Sequence, residues 1–505
     1  MLLKYRLIKD VTFGMGEQYG RETTAGTSAV RHDCDSFFGA FIAFLNNTLL
    51  NVALPAIMDD FGVAPAIVQW LTNGYMLVSG ILIPASAFFI QRFTNRQIFF
   101  WSMSAFTIGT ALAAFSPTFG FLIAGRMIQA SGAGLLMPLL MNVMLTAFPI
   151  ERRGTAMGFF GLIMFFAPAI GPTLSGYIVQ HFSWRTLFEL ILPFSVLILI
   201  LAIFKLKNIT PNVNIKIDVF SLILSSIAFS SLLFGFSTAG EKGWSAPIVY
   251  STIAIGTIVL IVFIIRQLRL KEPMLEFRIF KYPMFALSAS IMVLVSASMF
   301  SGMIIIPIYV QVVREFTPIQ AGLLMMPGAI VMALMSPITG RLFDRYGGRA
   351  LAIIGLSITV ITTFLLSKLT LTSGFFHIMS IFTLRMLGMS LVMMPVMTNG
   401  LNQLPMKMNP HGTAMNNTIQ QISGAIGSAV IITIMNARMA KRTGELMQAG
   451  QDLATEQLSR LAMLNGINFS FFVSTIIAAF GLGLAFFIKR VDPNEAKWNE
   501  ERLKT

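Results

Sequence analysis

The chain of 505 residues alternates long apolar stretches with short polar segments. About fourteen of these stretches contain the roughly 20 mostly apolar residues that a helix needs to cross a bilayer. The pattern therefore predicts an all-α integral membrane protein. The predicted spans run approximately over 36–57, 67–90, 97–115, 119–147, 154–178, 184–206, 218–238, 248–266, 284–312, 318–338, 349–369, 374–397, 412–436 and 466–488.

Basic residues concentrate in every second segment between the predicted spans. Positive charge in short loops marks the cytoplasmic side, and an even number of spans puts both ends on one side. We therefore expect both termini in the cytoplasm. The exception is the segment 437–465, which carries four basic residues. Because long loops are translocated despite their charge, we expect it to be an external loop, with a helix on the surface.

Composition agrees with a bilayer environment. Charged residues make up 11% of the chain and hydrophobic residues 55%, whereas a soluble domain has about 25% charged residues. The net charge of +14 comes from short clusters between apolar runs, which argues against nucleic-acid binding. No glycine precedes a lysine directly, so a phosphate-binding G-x-x-x-x-G-K loop is absent, and four histidines without an H-E-x-x-H motif argue against a metal hydrolase. We expect no cofactor, no nucleotide, no metal and no enzymatic activity.

An internal repeat relates the first six predicted spans to the last six. Gln91-Arg92 follows the second span, and Asp344-Arg345 follows the second span of the later six. Two spans further on, each half carries an arginine within an apolar helix. Two similar bundles around a central path are a common transporter architecture. The predicted division is a tail 1–35, a bundle 36–206, an inserted pair and linker 207–283, a bundle 284–490 and a tail 491–505.

Several motifs resemble those of the major facilitator superfamily. The segment Gly340 to Arg349 is similar to its loop signature G-x-L-x-D-R-x-G-R-R, and Arg126-Met-Ile-Gln129 resembles its fourth-span arginine motif. Its antiporter motif is matched in the fifth span by Gly158, Gly171, Pro172 and Gly176. The span count resembles the fourteen-span drug:proton antiporter branch (QacA/EmrB type). The segment 399–421 resembles the lincomycin-resistance subgroup of that branch.

This resemblance implies two six-helix bundles with an inserted helix pair. It also implies a secondary active multidrug-type exporter that exchanges amphipathic drugs for protons by alternating access, in the plasma membrane of a bacterium. We expect a monomer. The chain departs from the family pattern at Gln91 and Thr94, where Asp and Gly are usual, and at Asn46, where the branch usually has an acid.

Six residues are candidates for coupling or gating. Arg126 is a permanent cation inside a span, so it must face the bundle interior, with Gln129 one turn away; the alternative is a structural tether. A similar argument applies to Arg385. Glu189 is the first candidate for a proton site, and its alternative is pairing with Arg185. Asp344 and Arg345 lie in a predicted cytoplasmic loop, where the acid could hold one conformation through charge pairs and helix ends.

Amides inside spans are candidates for the substrate path. An amide in hydrocarbon needs a polar partner, so its face points at protein or at a water-filled cavity. The alternative is hydrogen bonding between helices. The path candidates are Asn46, Asn47, Asn51, Asn416, Asn417, Gln420 and Gln421. The small residues of the antiporter motif are interpreted as a structural hinge, because they let helices approach closely.

Two other functions stay open at the level of sequence. The chain could carry a single physiological solute with little drug export, or it could be a membrane sensor on a transporter fold. A sensor would be favoured by a large soluble signalling domain, and the sequence shows none. Fold alone does not separate the first possibility from drug export.

Overall fold

The computed structural model describes residues 23–63, 65–68, 70–206, 208, 218–448 and 455–490. Its described part contains fourteen long helices and no strand. The helices are α1 Thr23–Phe61, α2 Trp70–Arg92, α3 Asn95–Ala114, α4 Phe119–Ala147, α5 Arg153–His181, α6 Thr186–Lys205, α7 Val219–Lys242, α8 Pro247–Arg269, α9 Pro283–Ile308, α10 Pro318–Tyr346, α11 Gly348–Leu366, α12 Phe375–Asn402, α13 Asn409–Gln448 and α14 Thr455–Ala485.

Most of these helices have the length and apolar composition of a membrane span. Among the described residues twelve do so, and a bent pair within α1, Phe38–Leu50 and Ala53–Phe61, makes up to thirteen. The remaining long helix is α5, with 29 residues. The helices satisfy their own backbone hydrogen bonds, as a chain in hydrocarbon must. The predicted all-α membrane fold with about fourteen spans is confirmed.

The contacts between helices show the internal repeat. Within α1–α6, helix α1 packs against α5, and α3 packs against α4 and α6. Eight helices later, α9 packs against α13, and α11 packs against α12 and α14. The six helices α1–α6 and the six helices α9–α14 therefore form two similarly packed bundles.

The bundles meet at two main contacts. The larger contact is between α5 and α10, and the second is between α13 and the pair α2 and α4. Helix α7 of the inserted pair packs against α2 and α13, and α8 packs against α7. The inserted pair therefore lies beside the α2–α13 seam.

The connections after α2 and α10 differ although they occupy equivalent places in the repeat. Gly347 joins α10 to α11 with φ 79°, a conformation that favours glycine. After α2, the side chain of Thr94 accepts the backbone N–H of Gln97, and Gln97 accepts the backbone N–H of Thr94. This capping box starts α3 without a glycine. The departure from the family pattern at Thr94 is thus accommodated by a helix cap.

Two predicted loops are largely helical. Helix α10 continues to Tyr346, which places Asp344 and Arg345 in its last turn rather than in a loop. In the predicted loop 437–465, α13 extends to Gln448 and α14 begins at Thr455. Hydropathy falls where a helix leaves the hydrocarbon, but the backbone hydrogen bonds of the helix continue. On the polar part of α13, Arg442 pairs with Glu445 one turn later at 2.9 Å, which supports the helix.

The close approach of α5 and α10 yields a prediction. A Cβ atom on Gly158 would lie 2.6 Å from the backbone oxygen of Ser336 and 2.9 Å from Cα of Pro337. Gly158→Ala should therefore lower the free energy of unfolding by about 1–3 kcal/mol through overpacking. Thermal unfolding of the purified protein measures this change.

Gly176 provides the matched control on the same helix, because nothing lies within 4 Å of its Cβ position. Gly176→Ala should leave stability unchanged or raise it slightly, since alanine favours helix. Equal destabilisation by the two substitutions would contradict the close approach at Gly158.

Candidate transport site

Arg126 of α4 lies inside the amino-terminal bundle and is 1% exposed. Its Nη1 donates to Oδ1 of Asn46 at 2.9 Å and to Oε1 of Gln129 at 2.5 Å. Its Nη2 donates to Oδ1 of Asn47 at 3.4 Å. The structure therefore brings together four of the predicted site residues, from α1 and α4. These hydrogen-bond partners are side-chain amides, whereas a structural tether would be expected to bind backbone carbonyls.

Two further residues complete this cluster. Nε2 of Gln129 donates to Oγ1 of Thr110 on α3 at 2.7 Å, which orients the amide oxygen toward Arg126. The guanidinium carbon of Arg126 lies 4.4 Å from the centre of the Tyr75 ring on α2. An aromatic face attracts a desolvated cation. Helices α1, α2, α3 and α4 thus converge on one charge.

Neither Tyr75 nor Thr110 is predicted from the sequence. A single tyrosine or threonine in an apolar span has no periodic signal of its own. Their spacing within α2 and α3 carries no information about Arg126, which lies on another helix. Only the packing of the four helices brings them to one place.

The Arg126 cluster, formed by Arg126, Asn46, Asn47, Gln129, Thr110 and Tyr75, contains one cation and no acid. Among the described residues, no carboxylate forms an ion pair with Arg126. Amide oxygens and an aromatic face stabilise a cation through dipoles and a quadrupole rather than through a full negative charge. The cluster therefore keeps a net positive charge.

Arg385 occupies the equivalent place in the second bundle but has different partners. It is 0% exposed, and its Nη2 donates to the backbone oxygen of Ser298 on α9 at 2.6 Å. Its Nε donates to Oγ1 of Thr363 on α11 at 3.2 Å. Gly302 leaves room for the guanidinium, since a Cβ there would meet it. These contacts favour a structural tether among α9, α11 and α12.

The predicted amides of α13 do not share one surface. Nδ2 of Asn417 donates to the carbonyl of Thr413 at 3.0 Å and contacts the sulfur of Met141 on α4 at 3.8 Å. Asn416 and Gln420 are buried, and Gln421 is half-buried. With Gly80 of α2 and Leu233 of α7, Gln421 lines a small cavity. Part of the stripe thus faces the opposite bundle and part faces the inserted pair.

Asp344 caps a helix of the opposite bundle. Its Oδ1 accepts the backbone N–H of Gly154 at 2.8 Å, and its Oδ2 accepts the backbone N–H and the hydroxyl of Thr155 at 2.8 and 2.5 Å. These groups belong to the first turn of α5, where free N–H groups and the helix dipole favour an anion. Among the described residues Asp344 forms no ion pair. Its neighbour Arg345 is exposed and lies beside Tyr346.

Glu189 does not provide a buried acid. It lies exposed in the first turn of α6. The alternative pairing with Arg185 does not form either, because Arg185 pairs with Asp60 at 2.7 Å. The periodicity that placed Glu189 inside a span did not show which face of α6 it occupies.

The antiporter-motif residues divide between two contacts. Gly158 lies against α10, as described above, whereas Gly171 faces Thr48 on α1. Gly176 has no neighbour within 4 Å of its Cβ position. Asn51 and Pro172 lie outside the side chains that the structure describes.

The chain resembles transporters along nearly its whole length. The family model described as Major Facilitator Superfamily matches residues 36–428. The lincomycin resistance protein LmrB of Bacillus subtilis is 44% identical over 453 residues, which cover 89% of this chain and 94% of that protein. The uncharacterized MFS-type transporter YcnB of Bacillus subtilis is 48% identical over 452 residues, covering 90% and 93%. The multidrug resistance protein B homolog of Mycobacterium tuberculosis is 27% identical over 398 residues, covering 78% and 74%.

Solved structures share the fold at low sequence identity. The human organic anion transporter MFSD10 aligns with a TM-score of 0.60 at 14% identity, covering 90% of this chain and 99% of that one. The proton:xylose symporter XylE aligns with a TM-score of 0.62 at 13% identity, covering 94% and 99%. The repeated bundles, the family model and a relative 44% identical along most of both chains lead to one conclusion: the chain is a transporter that belongs to the major facilitator superfamily.

Proposed function

We propose that this transporter exports amphipathic drugs in exchange for protons, by alternating access, with both termini in the cytoplasm and as a monomer. The relatives named for lincomycin resistance and multidrug resistance support the substrate class. The basic loops support the orientation. No phosphate-binding motif is present in the sequence, which supports an ion gradient as the energy source.

The observation that carries the proposal is a set of polar contacts between the two bundles. Asp344 of α10 binds the first turn of α5, and Arg153 at the start of α5 donates to Asn402 at the end of α12 at 3.4 Å. Both contacts join opposite bundles at the end where α5 begins. Such contacts can break and re-form as rigid bundles rock about a central site.

A drug-sensitive bacterial strain that expresses the protein tests this function. Expression should raise the inhibitory concentration of several amphipathic drugs, and the purified protein should release protons when those drugs are added. Arg126→Ala should abolish both effects at the same protein level. Transport of a single solute, with no resistance to any drug of the panel, would contradict the proposal.

Arg126 should act in transport rather than in folding. Arg126→Lys keeps the charge but loses the planar fork that reaches Asn46, Asn47 and Gln129 together. Transport should fall by about tenfold or more, because a charge-assisted hydrogen bond contributes about 1.5–3 kcal/mol. Uptake into proteoliposomes and thermal unfolding are measured on the same preparation.

Arg385→Lys is the control for this substitution, because Arg385 ties helices within one bundle. Its thermal stability and transport should fall together. Normal transport by Arg126→Lys, or a loss that follows its stability, would exclude the coupling role of Arg126.

Asn46→Asp tests whether the Arg126 cluster faces the transport path. A carboxylate 2.9 Å from Arg126 would neutralise the cluster and would reduce its repulsion of cations. We expect the ranking of substrates to shift toward cations, and transport to acquire a new dependence on pH. Asn46→Ser serves as the control without added charge. A ranking and a pH profile identical to those of Asn46→Ser would show that this position is remote from the path.

Asp344→Asn should weaken the closure between the bundles. The amide retains one acceptor oxygen but loses the negative charge that interacts with the first turn of α5. The free energy of unfolding should fall by about 0.5–2 kcal/mol. Thermal stability and transport should both decrease. Arg345→Gln changes the neighbouring exposed residue and should affect stability by less than about 0.5 kcal/mol. Equal effects of the two variants would contradict the helix-capping role.

A further inference from the structure

His411 lies where three parts of the molecule meet. It is in the first turn of α13 and is 7% exposed. Its Nδ1 accepts the backbone N–H of Glu276, in the linker between α8 and α9, at 3.2 Å. Its Nε2 lies 2.9 Å from the side-chain amide of Gln91 on α2. This His411 junction, formed by His411, Gln91 and the Glu276 N–H, connects both bundles and the linker of the inserted pair.

The junction is the repeat-related counterpart of the Asp344 cap. Helix α5 begins Arg153-Gly-Thr-Ala-Met157, and the first turns of α13 read His411-Gly-Thr-Ala-Met415. In the α5–α10 seam, Asp344 reaches the Gly and Thr of this motif. In the α2–α13 seam, Gln91 stands in the place of Asp344 and meets the histidine instead. One seam therefore has a carboxylate cap, and the other has an imidazole.

The linker side of the junction is anchored to the inserted pair. The hydroxyl of Ser221 donates to Asp218 at 2.6 Å and accepts from Nε2 of Gln267 at 2.7 Å. Oε1 of Gln267 accepts the backbone N–H of Leu275 at 3.2 Å. Leu275 directly precedes Glu276, so helices α7 and α8 hold the backbone group that binds His411.

We propose that His411 is a proton-binding residue of the transport cycle, whose neutral form keeps the α2–α13 seam closed and whose protonated form opens it. The proposal rests on alternating access as proposed above and names a residue through which protons act on it. Neutral imidazole accepts at one nitrogen and donates at the other. With Nδ1 accepting from Glu276, the ring proton is on Nε2, toward Gln91. Nε2 of Gln91 donates to the carbonyl of Ala87 at 3.1 Å, so the amide gives up that hydrogen bond when it turns its oxygen toward the ring.

A second proton disrupts this arrangement. Both ring nitrogens of the imidazolium are donors, so Nδ1 can no longer accept the N–H of Glu276. The new positive charge also lies in the first turn of α13, where the helix dipole is unfavourable to cations. Protonation is therefore easier when the seam has opened and water reaches the ring. By linkage, a lower pH shifts the protein toward the open seam.

The charged residues around the junction do not offset that positive charge. The carboxylate of Glu276 pairs with Arg278 at 3.3 Å. Among the described residues, no carboxylate hydrogen-bonds to the ring. The other charged groups at the end of α2, in the linker and at the start of α13 are basic, apart from Glu272 in the linker: Arg92 after Gln91, Lys271 and Lys281 in the linker, and Lys407 before α13.

A distance measurement without substrate tests the proposal. Spin labels at Arg96→Cys and Lys407→Cys, in a Cys34→Ser background, report the seam from exposed positions in the first turn of α3 and just before α13. From about pH 8 to about pH 5, a range in which histidine titrates, the population with the longer distance should rise by roughly tenfold. Without His411 as the titrating group, as in His411→Gln, the distance distribution should not change with pH.

Gln91→Glu provides a second variant if His411→Gln folds poorly. A glutamate at this position would pair with the protonated imidazole, so the seam should stay closed across the pH range. His377→Gln is the control, because His377 is exposed in the first turn of α12; it should respond as the unmodified protein does. A pH-independent distance in the unmodified protein, or an unchanged pH response in His411→Gln or Gln91→Glu, would overturn the proposal. Because no drug is present, these outcomes do not depend on whether the protein exports drugs.

Discussion

The close approach of α5 and α10 is the contact on which the arrangement of the two bundles depends. Gly154 and Gly340 face each other without side chains, and Gly158 lies against the backbone of α10. At this separation the carboxylate of Asp344 reaches the free N–H groups of α5. Helix packing in a bilayer relies on such small residues, because lipid is as apolar as the helix surface. The glycines set the distance, and the helix cap gives the seam a polar contact that can be broken.

A second constraint is the burial of permanent charge. Arg126 and Arg385 are both enclosed, yet among the described residues neither has a carboxylate partner. Arg385 donates through Nε and Nη2 to hydroxyl and backbone oxygens inside its own bundle, which suits a structural role. Arg126 is held by amides and an aromatic ring from three helices, α1, α2 and α4, an arrangement with a net charge inside the bundle. The same residue type therefore has different consequences in the two halves of the repeat.

Hydrophobic pattern and motif spacing predicted the fold and part of the site. The spans followed from the length of the apolar runs, and Gln129 followed from its place one turn after Arg126. Partners on other helices, such as Tyr75, Thr110 and His411, could not be predicted, because spacing along one helix says nothing about rotation against another. Glu189 was misplaced for the same reason. The sequence predicted a surface helix in 437–465. The continuation of α13 to Gln448 and the start of α14 at Thr455 were not predicted, because hydropathy reports the thickness of the hydrocarbon and not the end of backbone hydrogen bonding.

The inserted pair makes the two seams unequal. Helix α7 packs against both α2 and α13, with Leu233 against Gly80, whereas the α5–α10 seam has no inserted helix beside it in the described part of the chain. Any separation of α2 from α13 must therefore also move a helix surface that contacts both. The hydrogen bonds from Ser221 through Gln267 to Leu275 connect that helix pair to the backbone beside His411. An insertion at this place thus makes the α2–α13 seam a contact among three bodies rather than two, and it does so at the seam where the repeat has replaced a carboxylate by an amide.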